Sequence, residues 1–331
     1  MNNTFKVGTF NVLNLISPNT VFYGKRKYSQ ETYEKKILWI AGQLDKMQAD
    51  IVGFQEIFDA DALRDALQHS AYMRDAHLIV VPKNEGGKET PSVAIASRFP
   101  IVSHEVIADF PSKISLDADT ILPIQSFTRP VLKAVIQVNE TLQLTFLTAH
   151  LKSKRPVLND ADNEDKEISM IERATGEVRA TIHRLGEALA LRTIVLQELQ
   201  GRTNPLILVG DLNDNDLAVS TQIISGEPPF KNMPFHVKKE IWDVLLHHVK
   251  AIQARKSYHD TYYSHIHNGH HEAIDHIMVS QELVSENPEN IGRVTYVRVF
   301  NEHLIDETLS DERVMEWNSD HAQIVASFEL R

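Results

Sequence analysis

Strand-like segments recur along the whole chain, at 5–13, 50–56, 77–82, 92–97, 101–107, 130–138, 142–150, 205–210, 273–279, 293–300 and 321–330. They are rich in β-branched residues, and several alternate apolar with polar positions, the period of a strand with one face buried. No repeat of fixed period and no Pro- or Gly-rich linker divides them, so 1–331 reads as a single domain. Helical patterns lie between the strands. In 31–48, Ile37, Ile40, Leu44 and Met47 return at spacings of three and four, as one buried helix face requires. Residues 59–69 start at Asp59, a good N-cap, and continue through Leu63 and Leu67. Residues 182–200 and 240–253 are further helix candidates. The close pairs 92–97 with 101–107 and 130–138 with 142–150 predict antiparallel hairpins. The fold class is therefore mixed α and β, with packed sheets flanked by helices.

Composition narrows the chemistry. With no cysteine in 331 residues, disulfides and thiolate metal sites are excluded. The net charge of −11 argues against tight, metal-independent binding of duplex nucleic acid through phosphate contacts, while surplus carboxylate suits divalent cations. Residues 1–15 lack a basic start, an apolar core and a small-residue cleavage site, and no apolar run approaches the roughly 20 residues of a membrane span. The expectation is a soluble cytoplasmic protein.

The segment Leu206-Ile207-Leu208-Val209-Gly210-Asp211-Leu212-Asn213-Asp214 carries the strongest chemical signal. An apolar strand delivers Asp211 and Asn213, two apart and thus on one side, to its end, where Gly210 permits close backbone approach. Five other places carry a similar mix of groups. Asn11 ends the first strand. Glu56 ends the strand of Ile51, Val52 and Phe54, and suits a hard cation that takes one or two carboxylates. His150 sits beside Lys152, Ser153 and Lys154. Asp275-His276 and Asp320-His321 each open an apolar strand, and an Asp that accepts a His N–H fixes its tautomer. Adjacent residues face opposite ways on a strand, so Asp320 can serve a His other than His321.

In this order the motifs resemble the endonuclease/exonuclease/phosphatase superfamily. The matching stretches are Thr9–Leu15, Val52–Glu56, Ser92–Ile101 with its Ser-Arg-Phe-Pro-Ile turn, Arg129–Leu132, Thr148–Lys154, Leu206–Asn213, Ile274–Val279 and Ser319–His321. The His-Leu-Lys-Ser-Lys form at 150–154 is most similar to the branch of bacterial extracellular nucleases and nuclease-like proteins. The resemblance implies a four-layer α/β/β/α sandwich and a Mg²⁺-dependent phosphodiester hydrolase, with Mn²⁺ as a substitute. Its first expected substrate is DNA or RNA. A phosphoinositide, sphingomyelin or small phosphoester is the second, and a catalytically silent binding module the third. By matching motif, Glu56 would be the principal metal ligand with Asn11 near metal and phosphate. His150 and Lys152 would contact the phosphate, Asp211 would activate water, and Asn213 would hold a phosphate oxygen. Asp275 would orient an imidazole or assist the metal, and Asp320 would pair with His321, which touches the phosphate. A nuclease would add a basic and aromatic groove, from Lys25, Arg26, Lys27, Lys152 or Lys154; a lipid enzyme would add an apolar rim.

Some features depart from the pattern. Leu13 stands where abasic-site endonucleases carry an acid, and Pro91-Ser92 replaces the usual Gly before the Val-Ala-Ile strand. Residues 155–181 are polar, with an acidic run at 159–165, and form either a solvated insertion loop or a lid. His259, His265, His267, His270 and His271 match no family motif and form either a hairpin tip or a metal site.

Overall fold

Strands that are apolar at nearly every position must be covered on both faces, and these are. In the computed structural model, residues 3–24, 26–82, 90–115, 121, 124–158, 169–201, 204–256 and 262–331 are described. Lys25, the acidic run 159–165 and His259 lie outside them. The strands are β1 (Thr4–Leu15), β2 (Ile51–Ile57), β3 (His77–Val80), β4 (Ser92–Ser97), β5 (Ile101–Asp109), β6 (Ser126–Gln137), β7 (Gln143–His150), β8 (Leu206–Asp211), β9 (Leu246–His248), β10 (His265–His267), β11 (His270–Glu272), β12 (Asp275–Ser280), β13 (Gly292–Phe300) and β14 (Gln323–Leu330). The helices are α1 (Gln30–Met47), α2 (Ala60–His69), α3 (Met170–Leu199), α4 (Val219–Ser225), α5 (Phe235–Trp242) and α6 (Val249–Lys256). One sheet has the order β13-β14-β1-β2-β4-β3 and the other β5-β6-β7-β8-β12-β9, while β10 and β11 form a separate hairpin.

Alternation along each strand sorts side chains into three apolar layers. Val7, Ile51 and Ile95 of the first sheet meet Phe146, Ile207, Val209 and Ile277 of the second. The opposite face of the first sheet, with Phe10, Val52 and Phe54, packs on Ile37, Ile40 and Leu44 of α1 and Leu63 and Leu67 of α2. Leu206 and Leu208, on the other face of β8, pack on Leu191, Ile194 and Val195 of α3. Two sheets face to face with helices on both outsides make a four-layer α/β/β/α sandwich. Asp59 caps α2 as expected, its carboxylate accepting the Asp61 N–H.

Three expectations need correction. The segments 92–97 and 101–107 do not pair. Both edges of β4 are taken, by β2 and β3, so β5 crosses to the edge of the second sheet and pairs with β6. The helix expected over 240–253 is instead the end of α5, the edge strand β9 and the start of α6. Residues 170–181, expected in the polar insertion, form the first turns of α3, where Ser169 accepts the Glu172 N–H as N-cap. The pairing of β6 with β7 follows the expectation. No helix among the described residues is long and apolar enough to cross a membrane.

Candidate active site

Each sheet contains one parallel strand pair, β1–β2 and β7–β8, and the two pairs end at the same place. On the second sheet His150 lies directly opposite Asp211, and Asp211 directly opposite Asp275, so one cross-strand row holds an imidazole and two carboxylates. On the first sheet Asn11 lies opposite Gln55, next to Glu56. Both strands break register there, between Asn11 and Leu15 and between Phe54 and Ile57. The irregularities put Leu13 (φ 52°), Asn14 (φ 52°) and Glu56 (φ 66°) in the left-handed region. Bulges re-aim side chains, and non-Gly residues in this region collect at functional sites. Here the result is that the Asn14 N–H donates to Glu56 Oε2 at 3.0 Å.

Asn11 ties the two sheets together. Its Nδ2 donates to Asp211 Oδ2 at 3.1 Å, contacts Glu56 Oε1 at 3.4 Å and lies 3.5 Å from His321 Nε2. Two carboxylates demand a donor, so the NH₂ faces them and the carbonyl accepts the Leu13 N–H at 3.1 Å. The Asn11 amide nitrogen thus holds Glu56 and Asp211 in place, while its oxygen, with one lone pair on the Leu13 N–H, keeps a second for a cation. Asp211 is the hub, with Oδ2 3.3 Å from His150 Nε2 and 3.9 Å from His321 Nε2, and Oδ1 accepting the Asn213 N–H at 2.9 Å. Asn213 (φ 57°) turns back so that Nδ2 donates to the Leu151 carbonyl at 3.0 Å, which leaves its second N–H available.

His321 has two acidic partners: Nδ1 is 2.8 Å from Asp275 Oδ2, and the more distant Asp320 Oδ1 stands 4.0 Å from Nε2. The other oxygen of Asp320, Oδ2, faces His265 Nε2 at 3.9 Å. The Lys152 ammonium donates to the carbonyls of Ser153 (3.1 Å) and Arg155 (3.2 Å) and so closes its own loop.

Electrostatics follow from burial. Burial raises the Asp211 carboxyl to about 7, with Asp275 and Glu56 adding to the rise and His321 opposing it. Burial likewise pushes the His150 imidazole well below its ordinary value, helped by the charges of Arg129 and His321. For His321 burial opposes the charge, yet Asp275, Asp211 and Asp320 together hold the imidazole well above the usual range. Asp320 is held down at about 2, burial being outweighed by His265 and His321. Hence one imidazolium sits among three carboxylates and a second imidazole stays neutral.

Two residues to which the sequence assigns no role stand beside the site. Arg129 donates to the Leu151 carbonyl at 3.1 Å and stands behind His150. Lys36 of α1 is fully buried, and its Nζ has no hydrogen-bond partner. That amine lies 5.6 Å from the Tyr28 ring and within the field of Asp320 and Glu56. The signal was present in the sequence: Lys36 stands on the apolar stripe of Tyr33, Ile37, Ile40 and Leu44.

Burial lowers Lys36 from 10.5 to about 8, the two carboxylates only partly offsetting it. The folded state thus binds this proton less well than the unfolded chain, and stability rises with pH between about 8 and 10.5. At pH 7 the buried charge costs about 3 kcal/mol. Lys36→Met should therefore stabilise the protein at pH 7 by about 1–3 kcal/mol, with a smaller gain at pH 10, measured by urea unfolding. Destabilisation at pH 7 would mean that Glu56 and Asp320 more than compensate the ammonium.

A cavity of about 960 Å³ lies elsewhere, among Ile223, Trp242, Leu245 and His248, and none of the site residues lines it.

The sequence profile described as the Endonuclease/Exonuclease/phosphatase family matches residues 8–321. No match emerges among curated proteins. Among solved structures, a humanized D. rerio TDP2 is 14% identical, with TM-score 0.59, covering 99% of this chain and 100% of that one. The human Nocturnin catalytic domain with bound sulfate is 15% identical, with TM-score 0.55, covering 100% and 96%. A mannosyl-6-phosphatase of Bacteroides thetaiotaomicron is 18% identical, with TM-score 0.55, covering 98% and 99%. At these identities the structural likeness speaks for the fold, and the profile, spanning nearly the whole chain, speaks for descent. The chain belongs to the endonuclease/exonuclease/phosphatase family, whose members hydrolyse phosphoester bonds.

Proposed function

We propose that the protein is a divalent-metal-dependent phosphodiester hydrolase acting on nucleic acid, DNA or RNA. The observation that carries the substrate class is the rim beside Glu56. Tyr23, exposed, stands within the electrostatic field of Glu56, Arg26, Arg129 and Arg155. An aromatic face among guanidinium groups offers stacking to a base and charge to a backbone. The family's structural relatives include both TDP2 and a mannosyl-6-phosphatase, so the substrate class rests on this rim.

The donor set fits the expected Mg²⁺. Glu56 supplies two oxygens, each held by a single N–H, from Asn11 and Asn14, with lone pairs to spare. When bound, the cation would polarise a phosphoryl oxygen. The remaining roles belong to protein groups. Asp211 Oδ2, its position fixed by Asn11, takes a proton from the attacking water. His321, oriented through Nδ1 by Asp275, donates from Nε2 to a phosphate oxygen and balances the developing charge. Neutral His150 and the free N–H of Asn213 hold the other oxygens. Asn11 keeps the carboxylates of the two sheets at fixed separation, and positioning of this kind supplies most of the rate in phosphoryl transfer.

Assays with single-stranded DNA, duplex DNA, RNA, phosphoinositide and sphingomyelin, each with Mg²⁺, test the reading. Hydrolysis of nucleic acid is expected, silenced by EDTA and restored by Mg²⁺ or Mn²⁺. Activity indifferent to chelator would remove the metal from the mechanism, and turnover of the lipids alone would remove the nucleic-acid substrate.

A further inference from the structure

The histidine-rich hairpin is the feature that the reaction above leaves unused. Its β10 and β11 strands are joined by Asn268 (φ 48°) and Gly269 (φ 78°), a tight turn of the kind that favours Asn-Gly. His267, His270 and His271 are turned to solvent near this tip. His265, at the base, is not. Its backbone bridges to His321, the Ala322 N–H donates to the Ser264 carbonyl at 2.7 Å, and the Ser264 hydroxyl accepts the N–H groups of Ile274 and Asp275, both at 3.1 Å. The hairpin is thus pinned to both segments that carry Asp275 and His321.

This attachment gathers three ligand-type side chains, His265, Asp320 and His321, whose donor atoms lie within 4.8 Å of one another. His265 Nε2 is 3.9 Å from Asp320 Oδ2, and His321 Nε2 is 4.0 Å from Asp320 Oδ1. The two rings are 4.8 Å apart and inclined at 41°. His265 Nδ1 and Asp320 Oδ1 are buried without a hydrogen-bond partner, although 42% of the Asp320 side chain is open to solvent. Buried polar atoms normally have partners, so Asp320 Oδ1, which faces His321 Nε2, points to a missing one inside this cluster. Donor atoms around a single ion lie about 3 Å apart, so closing the group needs side-chain shifts of about 1 Å. Nearby Asp211 and Asp275 add negative potential.

We propose that His265, Asp320 and His321 form a binding site for a first-row divalent transition-metal ion, separate from the oxygen site at Glu56. Two imidazoles and one carboxylate select a borderline metal such as Zn²⁺, Co²⁺ or Ni²⁺ over Mg²⁺, which prefers oxygen donors and keeps its waters. The site shares His321 with the hydrolytic reading, and the ion would stand where the imidazolium proton otherwise does. The hairpin then has a definite job, which is to deliver one nitrogen ligand.

Co²⁺ titration without substrate tests the site, read by visible absorption in a Glu56→Gln background that removes the oxygen ligand. Binding of one Co²⁺ is expected, weakened roughly tenfold or more by His265→Gln and unchanged by His271→Gln at the hairpin tip. Equal Co²⁺ affinity in the His265 and His271 variants would overturn the proposal, as would displacement of Co²⁺ by an equal concentration of Mg²⁺. Should His265→Gln not fold, ¹⁵N-histidine spectra of the unsubstituted protein with Zn²⁺ decide: two imidazoles should shift together, and a shift of one alone rejects the site. Binding is read without turnover. Loss of this site with intact Mg²⁺-dependent hydrolysis removes the inference alone, and the converse removes the hydrolytic reading alone.

Discussion

Asp211→Asn should lower turnover of a phosphodiester by roughly 10²–10⁴-fold, the range expected when a general base is lost. The amide keeps an oxygen for the Asn213 N–H and nearly the same volume, so the fold should survive. Circular dichroism and the unfolding midpoint would check that. The pH profile supplies a second readout. Burial raises this carboxyl to about 7, so protons fill it below that pH and the rate should fall about tenfold per unit on the acid side. A cation at Glu56 pulls the midpoint to lower pH without removing the limb. Retention of most activity by the variant, or a profile without any acid limb above pH 5, would take the base role away from Asp211.

Gly210→Ala should destabilise the protein by more than about 4 kcal/mol, which places it among the exceptional single substitutions. Its φ of 147° is one that side-chain-bearing residues rarely adopt, and an added Cβ would sit 1.9 Å from the Ala149 carbonyl oxygen. Ala149 is the parallel cross-strand partner of Gly210, so β7 and β8 would have to separate and His150 would leave Asp211. Thermal unfolding should show a loss of roughly 6 °C or more. Gly42→Ala, at a helical position with nothing within 4 Å, is the control and should be neutral or slightly stabilising. A Gly210→Ala protein as stable as the parent would show that the sheet absorbs the methyl by local shift.

Much of this architecture was legible because the relevant signals are local. The run at 206–210 is apolar on both faces, as a buried strand requires, and the stripe of Ile37, Ile40 and Leu44 has the spacing of a helix that packs on a sheet. What was illegible depends on neighbours far along the chain. Nothing in 92–107 says that both edges of β4 are already occupied, so its crossing to the other sheet looked like a hairpin. The edge strand β9 has three residues, too few for a period of two to register against the helical pattern around it. Among the site residues, types and strand ends were readable, but partners were not. Asp275 and Asp320 sit in the same Asp-His context, and only the placement of the hairpin sends the first to His321 and the second toward His265. By type alone Asn11 is a ligand candidate. Its orientation is decided by two carboxylates, one of them 200 residues away.

The place of β14 carries a consequence for biosynthesis. This strand runs to Leu330, yet it lies inside its sheet, between β13 and β1, with β1 formed from residues 4–15. A ribosome-bound chain that has not emerged through Leu330 therefore holds β1 with one ladder of backbone groups open to water and to other chains. His321, just ahead of β14, is equally late. Pairings of such long sequence separation form slowly and leave intermediates prone to association. The step that seals the sheet is also the step that brings His321 to Asp275, so a chain caught before it would be sticky and inactive together.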